Sequence, residues 1–179
     1  MRKSPPARRP RSRRSPPASS QKPERRGRPA HRAELDSRYP PAMAYRIRRV
    51  EYFHATVVDQ PGEAYKVLSA LAGLGVSLHG FTGVPVGPDR TQITLFPEDP
   101  GKMRSEAHKA GMALDGPHRA LLVQGDDELG VLATVHEKLY RAGVNVYAST
   151  AIADGAGKFG HIIYVRPEDY ERATKALEV

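Results

Sequence analysis

Two turns in this chain place a carboxylate three residues before a glycine: Asp59-Gln60-Pro61-Gly62 and Asp127-Glu128-Leu129-Gly130. A glycine there lets a ligand approach the backbone. A helix starting just behind it presents unpaired N–H groups that can receive a carboxylate. The aspartate can hold an ammonium, so Asp59 with Gly62, or Asp127 with Gly130, offers both poles of an α-amino acid. The plainer reading makes the same residues ordinary turn and cap formers, and on spacing alone it is the simpler of the two.

Other chemistry has less to stand on. The chain has no cysteine, which excludes disulfides, thiolate zinc sites and a cysteine nucleophile. Its seven histidines form no H-x-x-x-H or H-x-H pair, so a metal site would have to assemble in space. Ser69, Ser77 and Ser149 lack a nucleophile elbow, and no glycine-rich loop matches a phosphate or dinucleotide fingerprint. The expectation is a binding module with no catalytic residues, no metal and no cofactor.

The formal charge of +8 over 179 residues is unevenly placed. Residues 1–42 hold 13 Lys and Arg against 3 Asp and Glu, leaving 15 against 17 in the rest. That stretch also has 9 of the 16 prolines and a single large aliphatic residue, Leu35, so a disordered basic tail is expected over 1–43. Its run Arg8-Arg9-Pro10-Arg11-Ser12-Arg13-Arg14 can hold phosphates without reading sequence. Alternatively, translation starts at Met43 and the tail is an over-long reading frame. No apolar run approaches the roughly 18 residues of a membrane helix, and no apolar segment of a secretory signal follows the arginines. A cytoplasmic protein with no membrane partner is expected.

The remainder is one unit written twice. At a constant offset of 68, Gly62, Val67, Leu71, Gly75 and Val76 fall on Gly130, Val135, Leu139, Gly143 and Val144, and Asp59 falls on Asp127. Strands are expected over 50–58 and 120–124, and each of the two turns opens a helix whose aliphatic residues share one face. Gly75 and Gly143 stop those helices in the left-handed conformation. Hairpins over 76–96 and 144–165 follow, then helices over 100–110, capped by Asp99, and over 168–177. A short closing strand fits only around Met112 to Leu114. The extended run 44–49 is a candidate to cover the edge left open in the second copy. Such units are ferredoxin-like: an antiparallel sheet with helices on one face.

The two segments Asp59-Gln60-Pro61-Gly62-Glu63-Ala64 … Gly75-Val76-Ser77-Leu78 and Asp127-Glu128-Leu129-Gly130-Val131-Leu132 … Gly143-Val144-Asn145-Val146 resemble ACT domains. The resemblance covers about 45–179 and implies an α+β protein of two ferredoxin-like βαββ(α)β ACT units in tandem, over 44–115 and 116–179, with the second closing strand missing. It also implies an allosteric regulatory module that binds a small amino acid between ACT units. As a homodimer, the protein would pass the signal to an unidentified protein target. Carried over by residue, it implicates Asp127, Leu129, Gly130, Val131 and Asn145 in the second copy, and Asp59, Pro61, Gly62, Glu63 and Ser77 in the first. Leu129 stands where the family has Pro, and Ser77 where it has Asn, so the site with Asn145 ranks first. His79, Tyr147 and Ser149 are candidates to face the ligand. The alternative is an ACT scaffold for dimerisation whose basic tail contacts nucleic acid or another partner.

Overall fold

The computed structural model describes residues 45–179; the basic tail and the nucleic-acid reading attached to it lie outside them. The chain runs β1 (Tyr45–Val58), α1 (Glu63–Gly73), β2 (Leu78–Pro85), β3 (Arg90–Pro97), α2 (Pro100–Lys109), β4 (Asp115–Asp126), α3 (Val131–Arg141), β5 (Val146–Ala153), β6 (Lys158–Val165), a 3-10 turn (Pro167–Asp169) and α4 (Tyr170–Leu177). It is therefore two ferredoxin-like units in tandem, as expected. Instead of forming separate sheets, their strands join into one antiparallel sheet of order β2-β3-β1-β4-β6-β5.

The join is the pairing of the two first strands. Tyr45 faces Gly125, and the register runs unbroken to Tyr52 opposite His118. Within it Glu51 faces Arg119, its own mate at the repeat offset of 68, so the pseudo-twofold axis of the duplication passes through this oppositely charged pair. The N-terminal half of β1 thus covers the edge of β4 that a missing closing strand would leave bare, while its C-terminal half, Phe53 to Val58, pairs with β3. Residues 112–114 are not a strand: Met112 and Leu114 turn into the core beneath α1 and α2, and β4 begins only at Asp115.

Alternation along the strands sends one face to the helices. Phe53, Ala55, Ile93 and Leu95 pack under α1 and α2 against Leu71 and Met103. Leu121, Val123 and Ile163 pack under α3 and α4 against Val135, Leu139 and Leu177. All four helices therefore lie on one face. Asp99 caps α2, accepting from the Lys102 N–H at 2.9 Å. Gly75 (φ 67°) and Gly143 (φ 65°) close α1 and α3, each followed by a valine whose N–H returns to the last turn, Val76 to Leu71 at 2.9 Å and Val144 to Leu139 at 3.0 Å.

The opposite face has its own core of Tyr52, Phe96 and Ala120, with Val50, Ile162 and Tyr164 around it. The sheet curls over this face. The Tyr164 phenol on β6 meets the Thr82 hydroxyl on β2, although three strands separate β2 from β6 in the sheet order.

One core residue ties stability to pH. His161 on β6 is 1% exposed, stacked on His136 of α3 with their Nε2 atoms 3.4 Å apart, and its Nδ1 has no hydrogen-bond partner among the described residues. Burial first, and His136 second, push its pKa down from 6.5 to about 4. Across that window the unfolded chain binds the extra proton, so stability is complete above it and falls as pH drops through it. Urea unfolding at about pH 7 and at about pH 4.5 is expected to show this loss. His161→Leu should flatten the slope by up to one proton's worth, about 1.4 kcal/mol per pH unit.

Candidate functional site

Each turn is built the same way. Gly62 (φ 91°) and Gly130 (φ 90°) are the N-cap residues of α1 and α3, neither helix has a side-chain cap, and a Cβ at Gly62 would meet nothing within 4 Å. The first helical N–H is turned back onto the turn, Glu63 to Gln60 at 3.4 Å and Val131 to Glu128 at 3.2 Å. The next two, on Ala64 and Tyr65 and on Leu132 and Ala133, make no hydrogen bond among the described residues. Two free donors therefore stand at both places, beside an uncrowded backbone at Gly62.

Asp59 and Asp127 do not cap the helices. Each sits three residues ahead of the cap glycine and anchors its turn to the hairpin loop of its own unit. The Asp59 N–H donates to Asp89 at 2.8 Å and its carboxylate accepts from the Thr91 hydroxyl at 3.2 Å; the Asp127 N–H donates to Gly157 at 2.9 Å. Pro61 and Leu129 are the exposed tips, Leu129 at 95%. Glu63 is paired with Lys66 at 2.6 Å. Val131 points inward, 2% exposed, as part of the α3 core.

Asn145 and Ser77 are exposed at strand entry, past the opposite end of the helix from the glycine of their own unit. Eleven residues of α3 separate Asn145 from Gly130 by roughly 16 Å. The antiparallel β1–β4 pairing puts Asn145 at the same end of the sheet as Gly62, and Ser77 at the same end as Gly130. Neither of two clefts, of about 480 and 360 Å³, joins these pairs. Ser77 lines a small cavity of about 160 Å³ beside Asp99 and Lys102.

The smaller of the two clefts lies on the curled face, and the larger is lined from both faces, by Tyr52 from the curled side and by Val165 and Tyr170 from the helix-side core. One, of about 360 Å³, is a trough with Phe96, Leu122 and Ile162 as floor and with β2 (His79, Phe81) and β5 (Thr150, Ile152) as opposing walls. The other, of about 480 Å³, fills a fork. The β4–β6 ladder ends at Leu121 opposite Ile163; beyond it β4 follows β1 while β6 departs toward the 3-10 turn. Tyr52, His54 and His118 meet in this fork as a triangle of rings with centroids 5.1 to 5.4 Å apart. Gly116 permits the bend: at φ 139° it lies so close to β1 that a Cβ would come 2.9 Å from the Tyr52 carbonyl.

Electrostatics in the fork favour neutral His54 and Tyr52. Burial, then the neighbouring His118, lower the His54 pKa, and its Nδ1 is met by Thr94 at 3.0 Å. Burial first, and the neighbouring Tyr147 phenol second, keep the Tyr52 phenol protonated. His118 Nε2 meets Asp115 at 3.0 Å. Of the side chains expected to face a ligand, Tyr147 lines the fork and His79 the trough, whereas Ser149 is exposed on β5 opposite Ile163. The Tyr52, His54 and His118 grouping escapes sequence reading because the three come from two strands. The alternation Val50, Tyr52, His54 in β1 was its one visible trace. No group of three or more His, Cys, Asp or Glu that could hold a metal occurs among the described residues.

No protein-family model matches the chain, and no curated protein is a significant match. Among solved structures, protein BT0572 from Bacteroides thetaiotaomicron superposes with a TM-score of 0.63 at 17% identity, over 74% of this chain and 88% of that one. The ligand-free regulatory subunit of aspartate kinase from Thermus thermophilus gives a TM-score of 0.49 at 20% identity, over 75% of this chain and 95% of that one. At such identity the first likeness is one of fold.

The two cap glycines carry a measurable cost. Gly62→Ala and Gly130→Ala each force a Cβ into the left-handed region, with an expected loss of about 1–2 kcal/mol. Being in separate turns, the losses should add in the double variant. Leu129→Ala, at the exposed tip, should stay within about 0.5 kcal/mol by urea denaturation.

Proposed function

We propose that this chain is an ACT-type regulatory module that binds a small amino acid at its duplicated turns and senses its level. The observation that carries the reading is the left-handed glycine opening both α1 and α3, with two free N–H groups behind it and, at Gly62, open space above it. Those donors suit a carboxylate, and the carboxylates of Asp59 and Asp127 are close enough in sequence to take the ammonium. The turns are open on the single chain, so a second ACT surface must close each site. Edge strands β2 and β5, with Phe81 49% and Ile152 71% exposed, give a homodimer something to bury.

In this reading Gly130, Asp127 and Leu129 meet the ligand from one unit, and Asn145 approaches from a unit of the partner copy; Gly62, Asp59, Pro61, Glu63 and Ser77 form the weaker counterpart. Val131 supports the turn from the core. The ligand would favour one association state over another by its differential affinity for the two, and thereby act on an unidentified protein target. The module is non-catalytic and cytoplasmic. None of the described helices is long and apolar enough to cross a membrane.

Isothermal titration of the full chain against the twenty amino acids is expected to find one or a few that bind below millimolar concentration. Gly130→Val and Asp127→Ala should each weaken binding by about tenfold or more, the worth of one charge-assisted contact. If no amino acid binds, or both variants bind like the parent, the reading is wrong.

A further inference from the structure

The repeat offers a control within the molecule for the fork between β4 and β6. At the offset of 68, Tyr52, His54 and His118 correspond to Ala120, Leu122 and Val50, and Asp115 corresponds to Ile47. Four aromatic or ionisable residues on one side of the axis thus have aliphatic mates on the other. Two extra residues between β6 and α4 bring in Pro167, which lines the same fork. A duplicated scaffold needs only the aliphatic version to fold, as the other half demonstrates. The departures converge on a single cleft of about 480 Å³, within the range of small-molecule sites.

The lining selects a chemistry. The Tyr52, His54 and His118 rings give a surface on which a planar ring can lie face to edge or offset. Asp115 is already engaged by His118. Arg119 is the permanent cation of the cleft, projects to the helix side of β4 where His118 projects to the other, and is weakly committed: its guanidinium lies over the Tyr170 ring, 5.4 Å from the centroid, and its contact with Glu171 is 3.5 Å long between two exposed side chains. The rest of its planar fork of donors matches a carboxylate.

We propose that this fork is a second small-molecule site, separate from the glycine turns, that takes a planar aromatic ring bearing a carboxylate. The ring lies on the Tyr52, His54 and His118 surface, Tyr147 flanks it, and Arg119 receives the acid. The site lies within one chain and does not depend on the amino-acid reading of the turns.

The test titrates the full chain calorimetrically with three probes that are not amino acids. 3-Phenylpropionate has ring and carboxylate, phenethylamine has the ring with an amine, and hexanoate has the carboxylate without a ring. The expected order is phenylpropionate tighter than either other probe by about tenfold or more, one contact's worth in each case. Arg119→Gln, at an exposed position, should weaken phenylpropionate by about tenfold and remove its advantage over phenethylamine without moving the thermal midpoint, and Gly130→Val should leave phenylpropionate binding unchanged. Phenylpropionate binding no tighter than hexanoate, or binding untouched by Arg119→Gln, overturns the proposal. So does binding lost in Gly130→Val but retained in Arg119→Gln, which would place the probe at the turn. Neither of the first two results bears on amino-acid binding at the turns, so the two readings fail separately.

Discussion

The rest of the molecule depends on the antiparallel pairing of β1 with β4 about the Glu51–Arg119 axis. A unit of some 65 residues buries too little surface to be secure alone, and an open sheet edge invites uncontrolled pairing. Running β1 on for 14 residues solves both problems at once, because half of it serves its own unit and half completes the other. Two marginal cores become one continuous sheet, and the backbone N–H and C=O groups at the join are satisfied by the ladder.

The same pairing determines where function can sit. It holds both helix layers on one face, so the cap glycines of α1 and α3 emerge at opposite ends of the sheet. Asn145 and Gly130 belong to one unit yet lie a helix length apart. A ligand that touches a turn and a strand entry together must therefore bridge different units. The other face is left to curl, and the curl with the β4–β6 fork creates two clefts of unlike chemistry, one mainly apolar and one ringed by Tyr52, His54 and His118.

Much of the fold was legible because its signals are local. The spacing of Gly62 and Gly75 around one aliphatic helix face, repeated at Gly130 and Gly143, marks the helix limits to within a residue or two, and Asp99 behaves as a cap. Local signals failed where a neighbour overrode them. Met112 to Leu114 has strand composition but is drawn into the core under α1 and α2. Asp59 and Asp127 have cap composition, yet the hydrogen bonds of their turns go to the hairpin loops. Val131 reads as a turn residue and is core, because α3 needs an apolar anchor in its first turn.

By itself the sequence determined the duplication, the order of elements apart from the closing strand expected at 112–114, the left-handed glycines and the separation of a basic tail from a nearly neutral body, since each is encoded in residue type and short spacing. Only the tertiary structure decided that the two units share a sheet, that β1 closes the second unit, and that Tyr52, His54, His118 and Arg119 face one cleft. Those facts depend on which strand lies beside which, and pairing between strands 68 residues apart is settled by the burial of whole faces, which no short window of sequence contains.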